Sequence, residues 1–234
     1  MVSLLSFNEY FQKNVLKHIE YFLCSNNYYF YKHLESYFYC TFYKYNLVTS
    51  YFLVKIFSKI KLFPSQVGVL IRQEYVRYTY FPLCWENTVF LKRILTPFKK
   101  KRIYELAAGN GWVSYYLNRM GLKIDKVVDD FSWEKLTETE KPIKVYKQDA
   151  IKTIKDENPD VALINWPPPE DNFLINCFDV MKKGNYLVII ADKDPNVSGN
   201  VIFFKNYEKY LLIKKYLPYS FPDFQDIIYI YQKK

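Results

Sequence analysis

The stretch Tyr104 to Trp112, YELAAGNGW, decides how the rest of the chain is read. A short apolar run carries an acid, Glu105, near its end. Two glycines follow, Gly109 and Gly111, and a helix-like pattern starts near Trp112. Strand, glycine turn and helix make the opening of a βα unit. Glycine lets the backbone approach a ligand closely, and a helix N-terminus favours anionic groups.

Downstream, the same rhythm repeats. Strand-like runs are RIYELA, KVVDD, KVYKQDA, DVALINW and YLVIIAD. Helix-like runs fall at 112–120, near Trp133 to Thr139, at Ala150 to Ile154 and at Asn172 to Lys182. Strands alternating with helices predict right-handed βαβ units and a parallel sheet. After Asp192, KYLLIKKYLPYS and DIIYIYQKK read as two strands joined by a Pro-rich turn. The expected fold is therefore α/β and Rossmann-like, a mostly parallel sheet ending in an antiparallel pair.

Upstream, the character changes. Residues 1–60 hold no Pro and no Gly, and apolar residues recur at helical spacing, as in Phe7, Phe11, Val15, Ile19 and Phe22. A further amphipathic helix is expected over 47–62, stopped by Pro64, and a connector over 65–82. Glu86 to Leu95 reads as a helix ended before Pro97, and the run Lys99 to Arg102, KKKR, leads into the first strand. Two parts are expected: a basic, aromatic-rich helical extension over residues 1–64, and the sheet domain over residues 65–234.

Charge follows this division. The chain of 234 residues carries +9, but residues 1–102 hold +10 and the remainder −1. Such asymmetry points to nucleic acid or another acidic partner for residues 1–102, with an ordinary solvated basic face as the alternative. The 24 Tyr and 19 Phe accompany only 6 Gly, a bias that an AT-rich gene produces without selection for stacking. Cys24, Cys40, Cys84 and Cys177 form no C-x-x-C pair, and His18 and His33 stand at no useful spacing from them, which argues against a metal site. Unpaired cysteines of this kind fit a reducing, cytoplasmic compartment. No apolar run reaches the ~18 residues of a membrane span, because the run from Tyr45 is broken by Lys55, Lys59 and Lys61. Oligomeric state is left open.

In an open parallel sheet, ligands bind at the carboxyl ends of the strands. Those ends carry Glu105, then Asp129 and Asp130, then Gln148 and Asp149, then Asn165. A dinucleotide would want G-x-G-x-x-G, but Ser114 stands at the third glycine position, and an acid on the first strand would repel a pyrophosphate. A cofactor with a cationic amino acid and a neutral adenosine suits the row better. Glu105 can face its ammonium and sulfonium region, Asp129 or Asp130 its ribose hydroxyls, and Asp149 its adenine amino group. That describes S-adenosylmethionine.

With these residues in view, the chain resembles the class I, Rossmann-type S-adenosylmethionine-dependent methyltransferases. ELAAGNG stands for the family's acidic-x-G-x-G-x-G, with Ala107 in place of the first glycine. The resemblance is nearest to a subgroup with a Trp-Pro-Pro motif after the fourth strand and a Y-x-x-x-P segment upstream, here Trp166 to Pro169 and Tyr78 to Pro82. It implies S-adenosylmethionine as cofactor, held by Glu105, Ala107, Gly109, Gly111, Asp129, Asp130 and Asp149, with Tyr78 as a closing residue or a packing one. Amino-methylating members carry D/N/S-P-P-Y/F/W at the fourth strand end, where an Asn or Asp side chain and a backbone carbonyl accept from the amino group. Proline fixes φ near −65° and holds such a carbonyl in place. Here a Trp sits between the Asn and the prolines, so Asn165, Trp166 and Pro167 form either an active-site rim or a rigid turn. Glu170 is a candidate general base or a helix-start residue, and Asp192 and Asp194 line the cleft or belong to a loop. The basic N-terminal part would select the acceptor, and nucleic acid is the first expectation for its class. The alternative is a catalytically inactive protein of the same fold serving as a binding or scaffold subunit.

Overall fold

In a computed structural model of the chain, the residues described are 79–81, 83, 85–132, 141–169, 171–218, 220 and 224–234. The helices expected in 1–60 and 47–62, the 64/65 boundary, the short piece at 133–139, Tyr78, Glu170, Cys24, Cys40 and Cys84 lie outside them.

Helix α1 (Trp85–Leu95) passes into a 3-10 turn at Thr96–Phe98, where Pro97 ends the helical hydrogen bonding. Then follow β1 (Ile103–Leu106), α2 (Trp112–Arg119), β2 (Lys126–Asp129), β3 (Tyr146–Lys147), α3 (Ala150–Glu157), β4 (Val161–Asn165), α4 (Phe173–Val180) and β5 (Tyr186–Asp192). The chain closes with α5 (Val201–Leu211), β6 (Leu212–Tyr216) and β7 (Asp226–Gln232).

The strands form one seven-stranded sheet in the order β3-β2-β1-β4-β5-β7-β6. Strands β1 to β5 pair in parallel, and β7 inserts antiparallel between β5 and β6. The chain winds outward from β1 to β3 and then returns to place β4 on the other side of β1. The switch point thus lies between β1 and β4, above their carboxyl ends.

Alternation along the strands builds two cores. Val161 and Leu163 face one side with α1 and α2, while Ala162 and Ile164 face the other with α3, α4 and α5. Both faces are covered, which is why β4 and β5 read as nearly continuous apolar runs. Cys177 is fully buried in the second of these layers, and burial pushes its thiol well above the usual range.

One element departs from the sequence expectation. The strand read from Lys209 begins only at Leu212, because Val201–Leu211 is helical. Asn200 caps that helix, its Oδ1 accepting from Ile202 N at 2.8 Å and Phe203 N at 3.0 Å. Phe203 and Phe204 are buried against the sheet, with Tyr207 and Leu211 packed beside them. Packing of that stripe outweighs the β-propensity of KYLLI.

Candidate active site

The loop after β1 is built on left-handed backbone. Ala107, Gly109 and Gly111 have φ of 50°, 56° and 78°. A Cβ on Gly111 would lie 2.8 Å from Ile143 Cγ2 and 2.9 Å from Val145 Cγ2, so this glycine is required by space as well as by φ. A Cβ on Gly109 would meet nothing within 4 Å, so the loop is open there. Ala107 holds a left-handed conformation, which costs a residue other than glycine about 1–2 kcal/mol, and the loop forms with alanine there.

Glu105 is fully buried beneath this loop. Its Oε2 accepts from Ser114 N at 3.0 Å and from Ser114 Oγ, capping α2 where Gly111 has no side chain to do so. Its Oε1 is buried with no partner. Burial raises the carboxyl to about 7; the Ser114 bonds oppose that shift, and the Asp129 charge adds to it.

The two acids ending β2 have different duties. Asp129 spends both oxygens on the protein, Oδ2 accepting from Gly109 N and Oδ1 from Phe131 N, each at 2.7 Å. It anchors the glycine loop, and its carboxyl lies above the usual range, chiefly through burial. Asp130 is exposed and gives only Oδ1 to the protein, accepting from Ser132 N at 2.8 Å. Asp149 is the N-cap of α3, its Oδ1 accepting from Lys152 N at 2.6 Å, and Oδ2 is left over. Gln148 turns aside to Lys126 and Glu157.

At the end of β4 the fold spends more of what the sequence offers. Asn165 Nδ2 donates to Thr79 Oγ1 at 3.2 Å, while Oδ1 is buried without a partner. Trp166 sits at φ 52°, a rare conformation for a bulky side chain, and several contacts hold it there. Its N donates to Ile190 O and its Nε1 to Asp226 Oδ1, both at 2.7 Å. The indole stacks on Tyr80 at 5.7 Å and meets Phe224 edge-on. Pro167 is buried, and its carbonyl accepts from Gly199 N at 2.8 Å and Ser198 Oγ at 3.1 Å. That carbonyl therefore serves the loop after β5. The prolines follow a reversal at Trp166 and stiffen it.

Two partners escaped the sequence reading, Thr79 and Asp226. Thr79 and Tyr80, inside Y-x-x-x-P, dock on Asn165 and Trp166, so the two motifs of the resemblance meet in space. Asp226 opens β7 opposite Asp192, and only the register places it under the indole. Asp192 is 6% exposed and accepts from Asp194 N and Gln225 N, each at 2.8 Å, which makes it a loop brace. The run Lys99–Arg102 lies at the amino end of β1, away from the glycine loop. Among the described residues there is no group of side chains fit to hold a metal ion and no helix long and apolar enough to cross a membrane.

No family model matches the chain, and no curated protein matches it. Solved structures do. An S-adenosylmethionine-dependent O-methyltransferase from Thermotoga maritima is 13% identical, with a TM-score of 0.43 over 64% of this chain and 66% of that one. The N-methyltransferase NodS from Bradyrhizobium japonicum WM9 is 12% identical, with a TM-score of 0.43 over 62% of this chain and 95% of that one. NSun6 from Pyrococcus horikoshii, solved with SFG, is 14% identical, with a TM-score of 0.46 over 63% of this chain and 51% of that one. The chain spans just under two thirds of the Thermotoga protein and about half of NSun6. The Rossmann-like arrangement, a mostly parallel sheet that ends in an antiparallel strand pair, is read from this chain's own strand order and pairing.

Proposed function

We propose that the chain is an S-adenosylmethionine-dependent methyltransferase of class I, in the subgroup with Trp-Pro-Pro after the fourth strand, acting on nucleic acid in a reducing, cytoplasmic compartment. The observation that carries this reading is the orphaned Oε1 of fully buried Glu105 below a glycine loop that is open at Gly109. A cationic amino acid suits that acceptor, and a pyrophosphate does not.

The residues present fit the cofactor. Glu105 would face its ammonium region, and the loop from Ala107 to Gly111 would hold the amino-acid part. Asp130, exposed and half free, suits the ribose hydroxyls better than Asp129, whose oxygens already hold the loop. Asp149 keeps Oδ2 for the adenine amino group. When bound, the cofactor supplies a methyl group on a sulfonium centre for in-line attack. The protein's own work is positioning. Thr79 takes an Asn165 amide hydrogen, which leaves Oδ1 as the atom that would accept from an N–H of the acceptor.

The test is methyl incorporation into RNA in the presence of S-adenosylmethionine, read by mass spectrometry of nucleosides. Incorporation by the wild type and its loss in Asn165→Ala support the proposal. Cofactor binding with no incorporation into RNA, DNA or protein supports the second reading, an inactive scaffold. That reading draws on Pro167 and Trp166, whose carbonyl and indole N–H are taken inside the protein.

A further inference from the structure

The amino-terminal end of the sheet gathers cations that are far apart in sequence. Three turns meet there. The first is Lys99–Arg102, entering β1. The second is the α3–β4 turn, where Arg102 Nη1 and Nη2 donate to the carbonyls of Glu157 and Asn158. The third is the α4–β5 turn, where Asn185 Nδ2 donates to Pro159 O and Gly184 N to Lys233 O. Tyr186 is their common floor, with Phe98 against its ring at 4.8 Å and Lys101 Nζ over it at 5.4 Å. The fold thus brings Lys182 and Lys183 to the same end as Lys99, Lys100 and Lys101.

Those five lysines are exposed, and none has an acidic partner among the described residues. The acids around them are mostly engaged. Asp160 pairs with Arg102, Glu157 with Lys126, and Asp179 with Lys233. Asp156, on the last turn of α3, stands beside Lys155. The surface is strongly positive and rests on rigid turns. The exposed large hydrophobics among the described residues are Tyr146, Val197, Ile202, Ile213 and Leu217, and none belongs to these turns. An anionic membrane would gain no apolar insertion here. A phosphodiester backbone needs only charge and reach. From β1 to β5 the lysine-bearing turns span two inter-strand steps, or about 10 Å.

We propose that the amino-terminal end of the sheet is a docking surface for a single-stranded nucleic acid backbone, formed by Lys99, Lys100, Lys101, Lys182 and Lys183. It lies at the end opposite the glycine loop, so it holds the strand and takes no part in chemistry. The proposal stands whether or not a methyl group is transferred.

The test is binding of the full chain to a fluorescently labelled uridine 20-mer by anisotropy, over a series of salt concentrations. Five contacts predict a share of about −3.5 in the log–log salt slope, at ~0.7 per phosphate neutralised. A variant with Lys99, Lys100, Lys182 and Lys183 all changed to Ala should lose about 3 of that slope and bind at least about tenfold more weakly at physiological salt. A control variant removes four exposed lysines elsewhere, Lys147, Lys152, Lys193 and Lys205, and should bind within about threefold of wild type. Equal binding by wild type and the first variant overturns the proposal. So do equal losses in both variants, which would mean net charge alone. So does tight binding to phosphatidylserine vesicles with none to the 20-mer. Thermal unfolding of each variant at the wild-type temperature establishes that folding is not the cause.

Discussion

The carboxyl ends of β1 and β2 and the carboxyl end of β4 lie side by side, and the fold treats them differently. At β1 and β2 it spends part of the polar groups and leaves the rest. Asp129 ties the loop while Asp130 stays exposed, and Glu105 caps α2 with one oxygen while the other has no partner. At β4 the two rim features that look most chemical in sequence are turned inward. The Trp166 indole is bonded to Asp226 and the Pro167 carbonyl to Ser198 and Gly199. Asn165 Oδ1 is left over there. The lesson is that a proline-rich rim can be rigid for internal reasons.

The contrast can be broken by substitution, beginning with the largest effect. Gly111→Ala drives a Cβ to 2.8 Å from Ile143 and keeps φ at 78°, so it should cost about 3 kcal/mol. Denaturant unfolding measures it, and a loss below about 1 kcal/mol would mean that the loop relaxes freely.

Glu105→Gln sharpens the same side. The folded carboxyl titrates at about 7 and the unfolded one near 4.5. The folded state therefore binds more protons between those values. Stability from this group is full below pH 4.5 and is lost as pH rises to 7, by about 3 kcal/mol. The variant should lack that fall. Unfolding free energies at pH 5 and pH 7.5 check it, and parallel pH profiles for the two proteins would contradict it.

On the β4 side, Trp166→Phe keeps a ring against Tyr80 but removes the 2.7 Å donor to Asp226, itself 2% exposed. Losing a hydrogen bond to a buried acceptor costs about 1–3 kcal/mol, so the unfolding free energy should fall by about 2 kcal/mol. No change in stability would free the indole for a role toward substrate. The smallest effect belongs to Ala107→Gly. It relieves a left-handed alanine but loosens the unfolded chain, and the two terms leave a gain of no more than about 1 kcal/mol.

Much of the sheet domain was legible in the chain. Five strands and the helices at α1 to α4 follow from runs of apolar residues between breakers, because covered faces demand them. The end of helix α5, Lys209 to Leu211, was read as strand because the run KYLLI carries β-propensity; the signal for the helix was Asn200 followed by Phe203, Phe204 and Tyr207 at helical spacing. For the site, sequence located the row of acids but not their division of labour. Asp129 and Asp130 are adjacent and chemically identical, and only the backbone path decides which meets Gly109 N. Thr79 and Asp226 were invisible, since each meets β4 across 86 and 60 residues of chain respectively.

The most direct test of the central claim is calorimetric titration of the chain with S-adenosylmethionine and S-adenosylhomocysteine, beside Asp130→Ala and Asp149→Ala. The claim predicts micromolar binding by wild type and a loss of at least about tenfold in each variant. Asp130→Ala should unfold within about 0.5 kcal/mol of wild type, and Asp149→Ala about 1 kcal/mol sooner for its lost helix cap. No heat from the wild type with either compound would contradict the claim and leave the glycine loop a purely structural turn.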